Sequence, residues 1–146
     1  MMNKQTVNSY FLGSQHTRVA LRQATCPEGF CLIVEDEENV VKYLRKILTV
    51  SDIDSKAVDT INDALFFLDK HAVSIICCII DLNIETKNDG LKLVDILEEK
   101  YRKIPYVVYT AEKNMEFKLK KQYPHINVVI KGRNNTQILL NALGII

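Results

Sequence analysis

The chain has 146 residues, 47% of them hydrophobic and 25% charged, a balance that gives one domain with a single sizeable core and excludes a disordered or fibrous polymer. With 19 basic and 18 acidic side chains the formal charge is +1, so bulk charge calls for neither nucleic acid nor an acidic membrane. The longest apolar stretch, Ile75 to Ile80, falls far short of a membrane span, and no continuous apolar segment marks a leader at the N-terminus. Four cysteines, Cys26, Cys31, Cys77 and Cys78, form no CxxC pair and no metal-ligand spacing. They are expected to be buried small hydrophobes, and a cytoplasmic location follows.

Residues 1–29 are polar, carry one Pro and two Gly, and offer at most a short helical stretch around Thr17–Ala24. They are expected to form an extension or linker ahead of a domain spanning 30–146. From Cys31 onward short apolar runs alternate with amphipathic segments, the pattern of parallel strands joined by crossover helices. The first run is Cys31–Glu35, followed by a helix with Val40, Leu44, Ile47 and Leu48 on one face. A second strand at about Ile53–Val58 carries Asp54, Ser55 and Lys56 and reads as an edge. Thr60-x-x-Asp63 then caps a helix striped by Ile61, Leu65 and Leu68.

Ser74–Ile80 is a third strand, apolar throughout, and Leu93, Val94 and Leu97 stripe the helix after it. Ile104–Tyr109 is a fourth strand. The segment 112–122 that follows is mostly polar, with only Met115, Phe117 and Leu119 to bury, and is expected to be the weakest helix. Ile126–Ile130 and a short helix over Asn135–Leu143 complete the series. Strands apolar on both faces belong to a sheet covered on both sides. The expected fold is therefore α/β, a doubly wound five-stranded parallel sheet in the order 2-1-3-4-5, with its site outside the carboxyl ends of the strands.

The residues at which the runs stop form a set: Glu35-Asp36-Glu37 after the first, Asp81 after the third, Thr110 after the fourth and Lys131 after the fifth. Two unit charges ~4 Å apart at an effective dielectric of ~20 repel by about 4 kcal/mol, so converging carboxylates need a cation. Mg²⁺, which favours oxygen ligands at an open site, suits them. Asp81 is then placed to act as a carboxylate nucleophile toward a phosphoryl group, with Lys131 neutralising phosphoryl oxygens and Thr110 donating to one of them.

In these motifs the chain resembles the receiver domains of response regulators in two-component signalling, over about residues 30–143. The carriers are Glu35-Asp36 after CLIV, Asp81 after CCII, Asp89-Gly90 opening the third helix of that span, Thr110-Ala111 after PYVVY, and Lys131 after VVI. The resemblance implies Mg²⁺ held by Glu35, Asp36, Asp81 and the backbone carbonyl of Asn83, phosphorylation of Asp81, and sensing by Thr110 and Lys131. It implies a histidine kinase or phosphotransfer protein as donor. It further implies readout to a protein target or homodimer through the span's fourth helix, fifth strand and fifth helix, with Ile145 and Ile146 adding an apolar edge. Neither nucleic acid nor membrane is an expected partner. Asn83 and Glu112, two residues beyond the acceptor and the threonine, are expected to orient water toward the acyl phosphate and shorten its life.

Some features depart from the family pattern. Gly132 stands where the family usually has Pro after the lysine, Val128 replaces the frequent aromatic three residues before it, and the loop after Asp81 lacks a proline and is one residue longer. These departures leave open a receiver-like interaction module that phosphate does not switch. A haloacid dehalogenase-type phosphatase uses similar groups, but there the nucleophile precedes the acidic pair, the reverse of the order here. The chain is expected to work as a stand-alone phosphoacceptor rather than an enzyme acting on other molecules.

Overall fold

A computed structural model of the chain describes residues 15–26, 28–132 and 135–144, the first three by backbone alone. In chain order the elements are α1 (Gln15–Thr25), β1 (Phe30–Val34), α2 (Glu38–Val50), β2 (Asp54–Val58), α3 (Ile61–His71), β3 (Ile75–Ile80), α4 (Gly90–Lys100), β4 (Tyr106–Thr110), α5 (Met115–Gln122), β5 (Val128–Ile130) and α6 (Thr136–Ala142). The strands make one sheet in the order β2-β1-β3-β4-β5, parallel at every pairing. β2 is an edge, as its polar residues indicate. Ile145 and Ile146, expected to add an apolar edge, lie outside the described residues.

Both faces of the sheet are covered, which is why β1, β3 and β4 are buried at every position. One core joins Leu32, Cys78, Ile80 and Val108 to Leu68 of α3, Leu93 and Leu97 of α4 and Leu119 of α5. The other joins Ile33, Cys77, Ile79 and Val107 to Leu44 and Leu48 of α2 and Leu139 of α6. Alternate residues along the strands feed opposite cores, as the two-residue period requires, except at a register shift at the start of β3, where Ile76 and Cys77 both enter the second core. The four cysteines are free thiols, three of them buried. Thr60 caps α3, its hydroxyl accepting from the Asp63 N–H at 3.0 Å.

The helix expected near 17–24 runs from Gln15 to Thr25 and is docked. Val19 is buried in the second core, and the Arg22 guanidinium donates to the carbonyls of Ile75 and Ala72, both at 2.8 Å. This places α1 at the amino end of β3. No helix among the described residues is long and apolar enough to cross a membrane.

Candidate phosphoacceptor site

Chain reversal between β1 and β3 opens a crevice at the carboxyl ends of the strands, and the candidate residues fall there. Glu35 and Asp36 follow β1, Asp81 follows β3, Thr110 ends β4 and Lys131 follows β5. Glu35, Asp81 and Thr110 are buried although polar, whereas Asp36 is exposed. Carboxylate oxygens of Glu35, Asp36 and Asp81 all lie within 4.8 Å of one another. Lys131 Nζ lies 2.6 Å from Glu35 Oε1 and 3.2 Å from Asp81 Oδ2.

These contacts set the local electrostatics. Burial pushes the Glu35 carboxyl up to about 7; the Lys131 ammonium pulls against this shift and Asp81 adds to it. Burial alone would lower the Lys131 ammonium, but its bonds to Glu35 and Asp81 outweigh that and hold it above its ordinary range. Glu35 Oε2 also accepts from the N–H groups of Asp36 and Glu37 at 3.1 and 3.3 Å, which fixes the turn out of β1.

The lysine loop needs no proline. The Lys131–Gly132 bond is trans, no cis bond occurring among the described residues, and Gly132 has φ +150°, a conformation open to glycine. Lys131 N–H donates to Thr110 O at 2.8 Å, joining the ends of β5 and β4. The Asn135 amide donates to Ile130 O at 2.7 Å, and the Asn135 N–H to Gly132 O at 3.1 Å. Lys131 Nζ also lies 6.0 Å from the centre of the Tyr109 ring.

The loop after Asp81 is tied down by the side chains of Asp89 and Asn83. The Asp89 carboxylate accepts from the N–H groups of Ile84, Glu85 and Thr86 at 2.8, 2.9 and 3.2 Å. The Asn83 side chain accepts from Asn88 N–H at 2.7 Å and donates to Glu112 Oε1 at 2.9 Å. Asn83 and Glu112 therefore bridge the two loops that flank Asp81, and Thr110 Oγ1 accepts from Glu112 N–H at 3.1 Å. Gly90 permits α4 to start against β3, because a Cβ there would stand 2.3 Å from Asp81 O and 2.8 Å from Leu82 Cα.

A buried carboxylate beside an ammonium, in an acidic crevice at the switch point of a doubly wound sheet, is the arrangement of a class of phosphoacceptor signalling domains. The response regulator receiver domain matches residues 31–143, and the chain belongs to that family, the receivers of two-component systems. Its members are phosphorylated by histidine kinases or phosphotransfer proteins. Among solved structures, a sensor protein from Polaromonas sp. JS666 is similar at TM-score 0.65 and 22% identity, over 80% of this chain and 94% of that one. The receiver domain of a Bacteroides fragilis response regulator is similar at TM-score 0.64 and 20% identity, over 80% of this chain and 98% of that one. The response regulator TrrA of Thermotoga maritima, in complex with Mg²⁺ and BeF, is similar at TM-score 0.62 and 19% identity, over 81% of this chain and 99% of that one. No curated protein matches the chain. The likenesses in structure establish the doubly wound fold, and the order 2-1-3-4-5 read from the sequence is the observed one.

Proposed function

We propose that the domain over 30–146, with 1–29 as its extension, takes a phosphoryl group on Asp81 and signals by a change of conformation. The observation that carries this reading is the buried Asp81 carboxylate at the strand-end crevice, 3.2 Å from Lys131 and grouped with Glu35 and Asp36. An Asp81 oxygen attacks phosphorus, the bond from phosphorus to the donor's nitrogen or oxygen breaks, and the leaving group takes a proton from solvent. Lys131 neutralises the phosphoryl oxygens, and Thr110 turns its hydroxyl toward one of them. Three clustered carboxylate oxygens fit a hard divalent ion: Glu35, Asp36, Asp81 and the Asn83 carbonyl would hold Mg²⁺, which when bound supplies positive charge to the phosphoryl oxygens. Asn83 and Glu112 orient the water that later removes the phosphoryl group.

On this reading the chain acts on no substrate but itself. Its donor is a histidine kinase or phosphotransfer protein in the cytoplasm, where the four free thiols stay reduced. Output runs through α5, β5 and α6, to a protein target or a second copy, with Phe117 and Ile138 exposed on α5 and α6. Mass spectrometry after incubation with Mg²⁺ and acetyl phosphate tests the reading. One added phosphoryl mass is expected in the wild type and none in Asp81→Asn; an unmodified wild type would leave a receiver-like interaction module that phosphate does not switch.

A further inference from the structure

Among the described residues no strand pairs with the outer side of β2, and which residues present that side follows from one bond. Val58 O accepts from Glu35 N–H at 3.0 Å, so Val58 directs its backbone groups toward β1. By the two-residue period Asp54 and Lys56 do the same, and Ser55 and Ala57 turn their N–H and C=O outward. The Arg45 guanidinium reaches Ser55 O from outside at only 3.4 Å. The flanks are open as well. A cavity of about 510 Å³ lies over the edge between Arg45 and Thr49 of α2 and His71 of α3, and one of about 720 Å³ lies beyond it between Val41 and Phe66.

The side chains on this edge are self-complementary. Asp54 and Lys56 are both exposed, share one face of the strand, and form no ion pair among the described residues. A lysine on an edge strand ordinarily repels an incoming strand. Here an antiparallel strand of the same sequence, centred on Ser55, sets each Asp54 opposite Lys56 of the second copy and makes both charges attractive. That register also puts Ser55 opposite itself as a hydrogen-bonded pair, each N–H meeting the other's C=O. A shift by one residue would turn the charges away from each other.

We infer that β2 pairs with β2 of a second copy of this chain about a two-fold axis through Ser55, joining two five-stranded sheets into one. The interface is isologous and closes at two copies. Two cross-strand ion pairs and a few backbone bonds give a weak, salt-sensitive dimer. It does not depend on phosphoryl chemistry, so Asp81→Asn leaves it intact, and it lies away from α5, β5 and α6.

Sedimentation velocity of the full chain, across a wide concentration range at low and high salt, tests this inference. The wild type is expected to dimerise with concentration and less so in high salt. Asp54→Lys or Lys56→Asp alone should weaken the dimer by about tenfold, since each sets like charges opposite one another, and the double charge swap should restore it. Circular dichroism of each single variant checks that it folds. Ser55→Pro, with circular dichroism as its folding check, should abolish dimerisation by removing both central donors. A chain that stays monomeric throughout, single swaps without effect, or a dimer lost in Phe117→Ala with Ile138→Ala instead would each overturn the assignment.

Discussion

Asp89 shows at the scale of one residue how the loop that follows Asp81 is held. Burial works to raise its carboxyl, but the N–H groups of Ile84, Glu85, Thr86 and Gly90 outweigh that and bring it below the ordinary carboxylate range. A depressed folded-state value stabilises the loop above the unfolded pKa, about 3.9 for Asp, and this contribution is lost as pH falls through the folded value. The amide resonances of residues 84–86 should therefore hold position down to about pH 4 and move together only below it. In Asp89→Ala they should be displaced at neutral pH, with about 1 kcal/mol lost in urea unfolding. Unmoved resonances in that variant would mean the carboxylate does not organise the loop. Asp89-Gly90 is legible in sequence as a helix opening, and Glu35, Asp36, Asp81, Thr110 and Lys131 are legible because each closes an apolar run. The supports of Lys131 are not, since the Tyr109 ring, the Thr110 carbonyl and the Asn135 side chain meet its loop through contacts that no short motif spells out.

Among the elements, periodicity finds every strand and α-helix described from β1 onward, and the differences fall at their ends, as where a short 3-10 turn at Ala72–Ser74 takes the Ser74 expected to open β3. β4 starts at Tyr106 rather than Ile104 because Pro105 has no N–H to give the ladder, though its carbonyl accepts from Cys78 N–H at 3.0 Å. β5 shortens to Val128–Ile130, and α5 begins only at Met115, with Met115 and Leu119 as its buried residues while Phe117 stays exposed. α1 is the element whose docking periodicity could not reveal. Val19, the one buried residue among the described side chains of the helix, makes no stripe, and the arginine near it binds backbone carbonyls, which every sequence offers. Val19→Asp should destabilise the full chain by about 2–4 kcal/mol in urea unfolding, through a buried carboxylate without a partner. Leu21→Ala on the exposed side of the same helix should stay within about 0.5 kcal/mol. Equal effects from the two would show that α1 is not held through Val19.

Across the whole molecule the sheet separates two ends with different duties. Asp81 follows the carboxyl end of β3, and Arg22 fastens α1 at Ile75 at the amino end, roughly 20 Å away along a six-residue strand. Thr110 and Lys131 stand where β4 and β5 lead toward α5 and α6, and α5 is a polar helix held by two buried residues, Met115 and Leu119. An element with few buried contacts opens at low cost and is the kind that a two-state switch displaces. β3, by contrast, is buried at all six positions, and α1 is bonded to its start, so displacement there would disturb both cores at once. Hydrogen exchange with and without acetyl phosphate and Mg²⁺ should therefore change over about residues 110–142 and leave 18–26 and 75–80 as they were. In Asp81→Asn the donor should alter neither region. Changes confined to residues 37–70, or equal changes in α1, would show that the signal leaves the site by another path than α5, β5 and α6.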